Sequence, residues 1–188
     1  MSKFRGFFLG VIGIAVCIGV AGVVSADEST MTRGAELLQP FKKNLKQALL
    51  KGLEDGPEQA IDVCKDKAPK IAKELSVDGV LMGRSSHRLR NPSNEGPDWV
   101  TPVLKDYVAE QSNLTPVTVQ LPGERIGYVE PIKLQPVCLV CHGSAVPPSV
   151  QATLEQQYPS DQATGFEVDE LRGVFWAEFP APKSGSPK

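Results

Sequence analysis

Leu37, Leu38, Phe41, Leu45, Ala48 and Leu49 recur at three- and four-residue intervals, the spacing of one buried face of an α-helix. Ser29 or Thr30 stands where a cap is needed, so a helix is expected from there to about Leu53, kinked or divided at Pro40. Gly52 and Gly56 close that element, and Pro57 suits the first turn of the next. There Ile61, Cys64, Ala68, Ile71 and Leu75 form a second stripe, bent by Pro69. Beyond it the pattern changes. Val77 to Met82 reads as a short strand, and Gly83 through Pro97 as a polar loop rich in Asn, Pro, Ser and Arg. Asp98 can cap a helix that turns Trp99, Val103, Leu104, Tyr107 and Val108 inward. Strand-like runs at 117–121 and 125–132 flank Pro122-Gly123, a hairpin break. A short helix at 149–158 and a last strand at 171–179 complete the chain. Helices first, then strands joined by turns, favour a single α+β domain with an antiparallel sheet.

The N-terminal end departs from these patterns. Lys3 and Arg5 precede an uncharged apolar stretch from Phe7 to Val24, and Val24-Ser25-Ala26 puts small residues ahead of Asp27-Glu28. This is the layout of a signal peptide over residues 1–26, which predicts a periplasmic location. At 18 residues the stretch is also near the minimum for spanning a bilayer, so an uncleaved membrane anchor is the alternative. Cys17 lies inside it behind Val16 rather than behind a small residue, which speaks against lipidation. Cleavage would leave 162 of the 188 residues, enough for one domain over 27–180 and a Pro-, Ser-, Gly- and Lys-containing tail at 181–188, expected to be disordered. That mature chain carries 18 basic against 22 acidic residues, a balance that argues against nucleic acid as a partner.

The chemistry is concentrated at Cys138-Leu139-Val140-Cys141-His142. Two thiols at this spacing can each add across a vinyl group of one haem, with the adjacent imidazole held under the iron. Leu139 and Val140 are apolar, as suits a porphyrin edge, and Gly143 lets the backbone turn away after the ligand. A bare C-x-x-C would also serve thiol redox or zinc sites, but zinc needs a second ligand pair and no cysteine follows Cys141. One covalently attached haem c is therefore expected, in a compartment consistent with the leader.

His142 leaves one axial position, for which Cys64, Met82, Met31 and His87 are the candidates. Cys64 would be an unpaired thiol in an oxidising compartment; the plain alternative is a small buried hydrophobe on a helix face. Met82 beside Leu81 fits a core position, and His87 between Ser86 and Arg88 fits a surface loop. Arg84, Arg88 and Arg90 with Asn91 and Asn94 could supply donors for two haem propionates. A solvated basic turn is the alternative.

Ala60-Ile61-Asp62-Val63-Cys64 with Ala68-Pro69-Lys70-Ile71-Ala72, Gly83-Arg84-Ser85-Ser86, Leu89-Arg90-Asn91-Pro92-Ser93-Asn94, and Pro131-Ile132 before Cys138 to Gly143 together resemble the haem-c PAS-like family. That family was first seen in a cyanobacterial protein and recurs as the extracytoplasmic sensor module of bacterial histidine kinases and chemoreceptors. The resemblance spans nearly all of 30–180. It implies a PAS-like antiparallel sheet flanked by N-terminal helices, with iron ligated by the motif histidine and a cysteine, here His142 and Cys64. Where the family often has a threonine and a long apolar or basic residue, this chain has Ser85-Ser86-His87, which keeps His87 in contention.

The expected function is redox or gas sensing by ligand switching, with a periplasmic redox or signalling protein as partner and a diatomic gas as possible ligand. The competing class is an electron-transfer cytochrome with fixed axial ligands. A peroxidase-type enzyme would need a vacant distal side and a positioned acid–base pair, for which only His87 with Arg84 or Arg88 offers material; an enzyme is not expected.

Overall fold

The computed structural model describes residues 28–112 and 114–181; the expected leader at 1–26, with Cys17, and tail residues 182–188 lie outside them. The first helix, α1 (Glu28–Glu54), runs through Pro40 as one element rather than two. Its buried face explains this: Leu38 on one side of Pro40 and Phe41 and Leu45 on the other all pack into the same core, which holds both halves in line. In place of one bent second helix the chain forms α2 (Pro57–Asp62), a wide π-helical turn over Val63–Lys67, and α3 (Ala68–Leu75).

Strand β1 (Leu81–Ser85) begins four residues later than the apolar run predicts. Asp78 and Gly79 take positive φ, and the Val80 N–H donates to the Val77 carbonyl at 2.8 Å, so Val77 to Val80 is a turn. The strand then takes up the first three residues of the expected loop. Helix α4 (Val100–Glu110) has no side-chain cap. The role expected of the Asp98 carboxylate falls to backbone carbonyls, with Val100 N–H donating to Pro97 O at 2.8 Å and Thr101 N–H to Asp98 O at 3.3 Å. The remaining elements are β2 (Val117–Leu121), β3 (Arg125–Lys133), the single turn α5 (Leu139–His142), α6 (Pro148–Gln157) and β4 (Leu171–Pro180).

The four strands form one antiparallel sheet in the order β1-β4-β3-β2, so the fold is α+β with a PAS-like sheet and helices against it. Period-two alternation divides the core. Ile126, Tyr128, Ala177 and Phe179 face α1 and α3, while Val129 and Val174 face Val100, Leu104 and Tyr107 of α4. The register pairs Ile126 with Phe179 and Val129 with Trp176; a one-residue slip would exchange the two faces. The regular pairing breaks between Ile132 and Lys133, where β3 leaves the sheet for the segment that carries the cysteines. Among the described residues no helix is long and apolar enough to cross a membrane.

Gly173 sits at φ +156°, and an added Cβ would overlap the Ser85 backbone oxygen on the neighbouring strand. Gly173→Ala should therefore destabilise the fold by roughly 2–3 kcal/mol, read from the denaturant midpoint. Burial pushes Tyr107, Tyr128 and Tyr158 each up to about 12, against about 10 in the unfolded chain. Above pH 10 the unfolded state thus loses protons that the folded state keeps, so stability falls with rising pH. Ultraviolet titration should show little tyrosinate between pH 10 and 11 until circular dichroism reports unfolding.

Candidate functional site

A cavity of about 380 Å³ opens between α1, α2, the Cys64 turn, β1 with its following loop, and the segment from Ile132 to His142, within the size range of small-molecule sites. Leu45, Leu49 and Leu53 of α1, with Ile61 and Ala60 of α2, give one apolar wall. The lining also carries Cys138, Cys141 and His142 together with Arg84, Arg90 and Arg172. Cys64 lines the same space.

Local hydrogen bonding shapes the C-x-x-C-H segment. Pro136–Cys138 form a 3₁₀ turn in which the Cys138 N–H donates to Gln135 O at 2.8 Å, and α5 follows directly. Gly143 is required by closeness rather than by torsion: its φ is −74°, but a Cβ there would lie 2.8 Å from the Leu139 carbonyl. Gly143 then pairs in parallel with Phe166, as Gly165 N–H donates to Gly143 O and Phe166 N–H to His142 O, both at 2.9 Å. Cys64, Cys138 and Cys141 are all unbridged. Burial pushes the Cys141 thiol up to about 11, the opposite of the lowered value a thiol–disulfide exchange site needs. Among the described residues no three His, Cys, Asp or Glu converge as for a metal ion held by such residues alone.

His142 is oriented through its Nδ1, 2.7 Å from the Ala163 carbonyl. A carbonyl can only accept, so Nδ1 carries the proton and Nε2 keeps its lone pair. Arg172 Nε also lies 3.3 Å from Nδ1; two donors cannot share that nitrogen, and the shorter contact decides the tautomer. Burial, then the charges of Arg172 and Arg90, holds this imidazole well below its ordinary range, so it is neutral at pH 7. The Ala163 carbonyl is itself fixed. Asp161 Oδ1 accepts from Ala163 N–H at 2.7 Å, Oδ2 accepts from Arg90 Nε at 2.9 Å, and Arg90 Nη2 donates to the Cys141 and Ala163 carbonyls.

The charges in the cavity do not balance. Arg90 has Asp161, with side chains 10% and 11% exposed. Among the described residues Arg84 and Arg172 have no carboxylate within 4.0 Å. Arg172 Nη1 donates to Ser86 Oγ at 2.7 Å and to Arg88 O at 3.3 Å, neutral acceptors that cannot offset its charge. Burial, then Arg84 and Arg90, presses Arg172 down to about 9, still charged at neutral pH. A ligand with anionic groups would supply what the protein lacks.

The expected loop donors divide. Arg84, Arg90, Asn91 and Asn94 line the cavity, although the Asn91 oxygen is engaged by Ser93 N–H at 3.0 Å. Arg88 turns away, donating to the Gln162 and Thr164 carbonyls with its guanidinium 4.0 Å from the Phe166 ring centre. Its place is taken by Arg172, whose signal in the sequence is a charge at the start of a strand that is apolar from Val174 to Ala177. Of the candidate sixth ligands only Cys64 lines the cavity. Met82 is buried and Met31 partly buried in the core beneath α1 and α3. His87 is exposed and meets Phe166 edge-on at 6.0 Å.

A model of the Tll0287-like family matches residues 22–180. Among solved structures, the cyanobacterial heme-protein Tll0287 is similar, with a TM-score of 0.51 at 26% identity over 63% of this chain and 73% of that one. No curated protein matches.

Asp161→Ala would leave Arg90 buried without its counter-charge and remove the acceptor that holds the Ala163 N–H. A loss of about 3 kcal/mol or more is expected, measured by chemical denaturation, with Asp161→Asn intermediate because it keeps an acceptor for Ala163 N–H.

Proposed function

The chain belongs to the Tll0287-like family, and on that footing we propose that it is an extracytoplasmic c-type haem protein that responds to redox state or to a small gas by exchanging an axial ligand. The observation that carries this reading is the meeting of Cys64 with Cys138, Cys141 and His142 on one cavity whose charge is short of anions. The residues fit a haem on three counts. The walls beside the cysteines are apolar, the two unpaired guanidinium groups suit a pair of carboxylates, and the neutral imidazole offers a free Nε2.

Bound haem would supply one-electron redox chemistry and an iron able to take small ligands. In the proposed roles Cys138 and Cys141 hold the group through thioethers, and His142 donates Nε2 from an orientation set by Ala163. Arg84, Arg90 and Arg172 meet its carboxylates. Cys64 as thiolate would place negative charge beside the metal and favour its oxidised state. A weaker hold on Cys64 in the reduced form would free the wide turn at 63–67 that carries it, and so serve gas or redox sensing. A local charge change would thereby bias a helix and pass to a partner surface. His87 stands outside the cavity, beyond Phe166, so replacing Cys64 with it would require the loop to rebuild. The same placement weakens a peroxidase-type reading, which needs an acid–base residue over the vacant side.

Fixed-ligand electron transfer is the second reading, favoured by Leu50 and Val137. Both line the cavity and are 44% and 46% exposed, as a docking edge for a redox protein requires. The extracytoplasmic location rests on the leader-like sequence at 1–26.

Cys64→Ala, produced in cells competent for haem attachment, should keep one covalent haem but lose the ferric thiolate signal in paramagnetic resonance and shift its reduction potential upward. An unchanged ferric spectrum would remove Cys64 from the metal. In the wild type, reduction should change the optical signature of ligation; one low-spin form throughout the redox cycle favours the carrier.

A further inference from the structure

The turn at Val63–Lys67 has a backbone peculiarity that falls on Cys64. In an α-helix the Cys64 carbonyl would accept from the Ala68 N–H; that N–H instead donates to the Val63 carbonyl one residue further back. In the wider π register the donor would be residue 69, and Pro69 has no N–H. Both intrahelical partners of the Cys64 carbonyl are therefore withdrawn, and an unsatisfied carbonyl in a partly buried place is unfavourable. Arg84 takes it: its Nη2 donates to Cys64 O at 3.2 Å. Arg84 is in turn fixed by the sheet, paired with Phe175 across β1 and β4. Its charge has no carboxylate of the protein within ion-pair distance among the described residues.

We propose that Arg84 is a positioning residue for Cys64, its guanidinium holding the carbonyl stranded by Pro69 and so keeping open the wide turn that presents this thiol to the cavity. The proposal rests on the reading of Cys64 as an axial ligand. If the tie is cut, the turn has no partner that favours its π register over the α register. One residue of register corresponds to about 100° of rotation about the helix axis, so the two ends of the segment would turn relative to each other and Cys64 would lose its aim. Arg84 thus acts through the main chain of the residue it positions: its Nη2 is engaged there, while the other N–H groups of the guanidinium can still meet a ligand carboxylate.

The test compares the full-length wild type, matured with haem, with Arg84→Met, Arg84→Lys and the double variant Arg84→Met/Pro69→Ala. Covalent haem content, the ferric paramagnetic resonance signal and hydrogen exchange over residues 60–75 are measured on the same preparations. Arg84→Met is expected to keep covalent haem, lose the thiolate signal in more than half of the molecules, and exchange roughly tenfold faster around 63–68. Arg84→Lys, which retains a donor, should recover much of the signal. Pro69→Ala supplies the N–H that the π register aims at the Cys64 carbonyl, so the double variant Arg84→Met/Pro69→Ala should recover the signal that Arg84→Met loses; it also serves if Arg84→Met alone fails to fold. Wild-type signal in Arg84→Met overturns the proposal, as does a signal still lost in Arg84→Met/Pro69→Ala, and so does faster exchange with an unchanged signal, which would leave Arg84 merely structural. If the wild type itself lacks haem or a thiolate signal, the ligation reading fails, whereas the exchange comparison still decides whether Arg84 holds the turn.

Discussion

The ion pair between Arg90 and Asp161 joins pieces of chain that would otherwise have little reason to meet. Arg90 comes from the loop after β1, Asp161 from the segment after α6, and the same guanidinium donates to carbonyls of Cys141 and Ala163. Both side chains are about nine-tenths buried, so removing either would strand a charge in a poorly solvated place. Through Ala163 the pair also fixes the proton on the His142 ring. The geometry of the imidazole is thus a consequence of an electrostatic tie two contacts away.

The sheet supplies the frame in which this tie works. β3 and β4 lie at its centre, with α1 and α3 on one face and α4 on the other. Where regular pairing fails after Ile132, β3 turns out of the frame and becomes cavity wall. β4 begins close to the same place and contributes Arg172. The cavity is therefore an end-of-sheet site. Its base is set by strand register, and its far side by helices whose own packing lies mainly elsewhere in the core.

Elements with a clear apolar period were legible in the sequence. The stripe of α1 and the hairpin of β2 and β3 needed only local pattern, and the C-x-x-C-H spacing carried its chemistry openly. Features that depend on backbone hydrogen bonding were not. The run from Val77 to Met82 looks like a strand, yet Asp78 and Gly79 turn it. Pro69 foretold a bend, but the pairing of Ala68 with Val63 in a wide turn is a property of the folded ladder. Arg88 and Arg172 illustrate the tertiary limit. Proximity in sequence grouped Arg88 with Arg84 and Arg90, whereas the fold turns Arg88 onto Phe166 and brings Arg172 from more than eighty positions away. Sequence clustering measures nearness along the chain, and a charge cluster forms by nearness across the fold.

The parallel pairing of Gly143 with Phe166 has a bearing on where this molecule can be altered. The stretch from 159 to 170 contains no helix or strand and would ordinarily count as tolerant of added or deleted residues. Here it is stitched to the backbone of His142, to Leu134 and to Leu89, so a change in its length would dislocate the imidazole. The hairpin tip is the better point for grafting a fluorophore or a purification handle, at the exposed Pro122 rather than at Gly123, whose φ of +71° suits glycine.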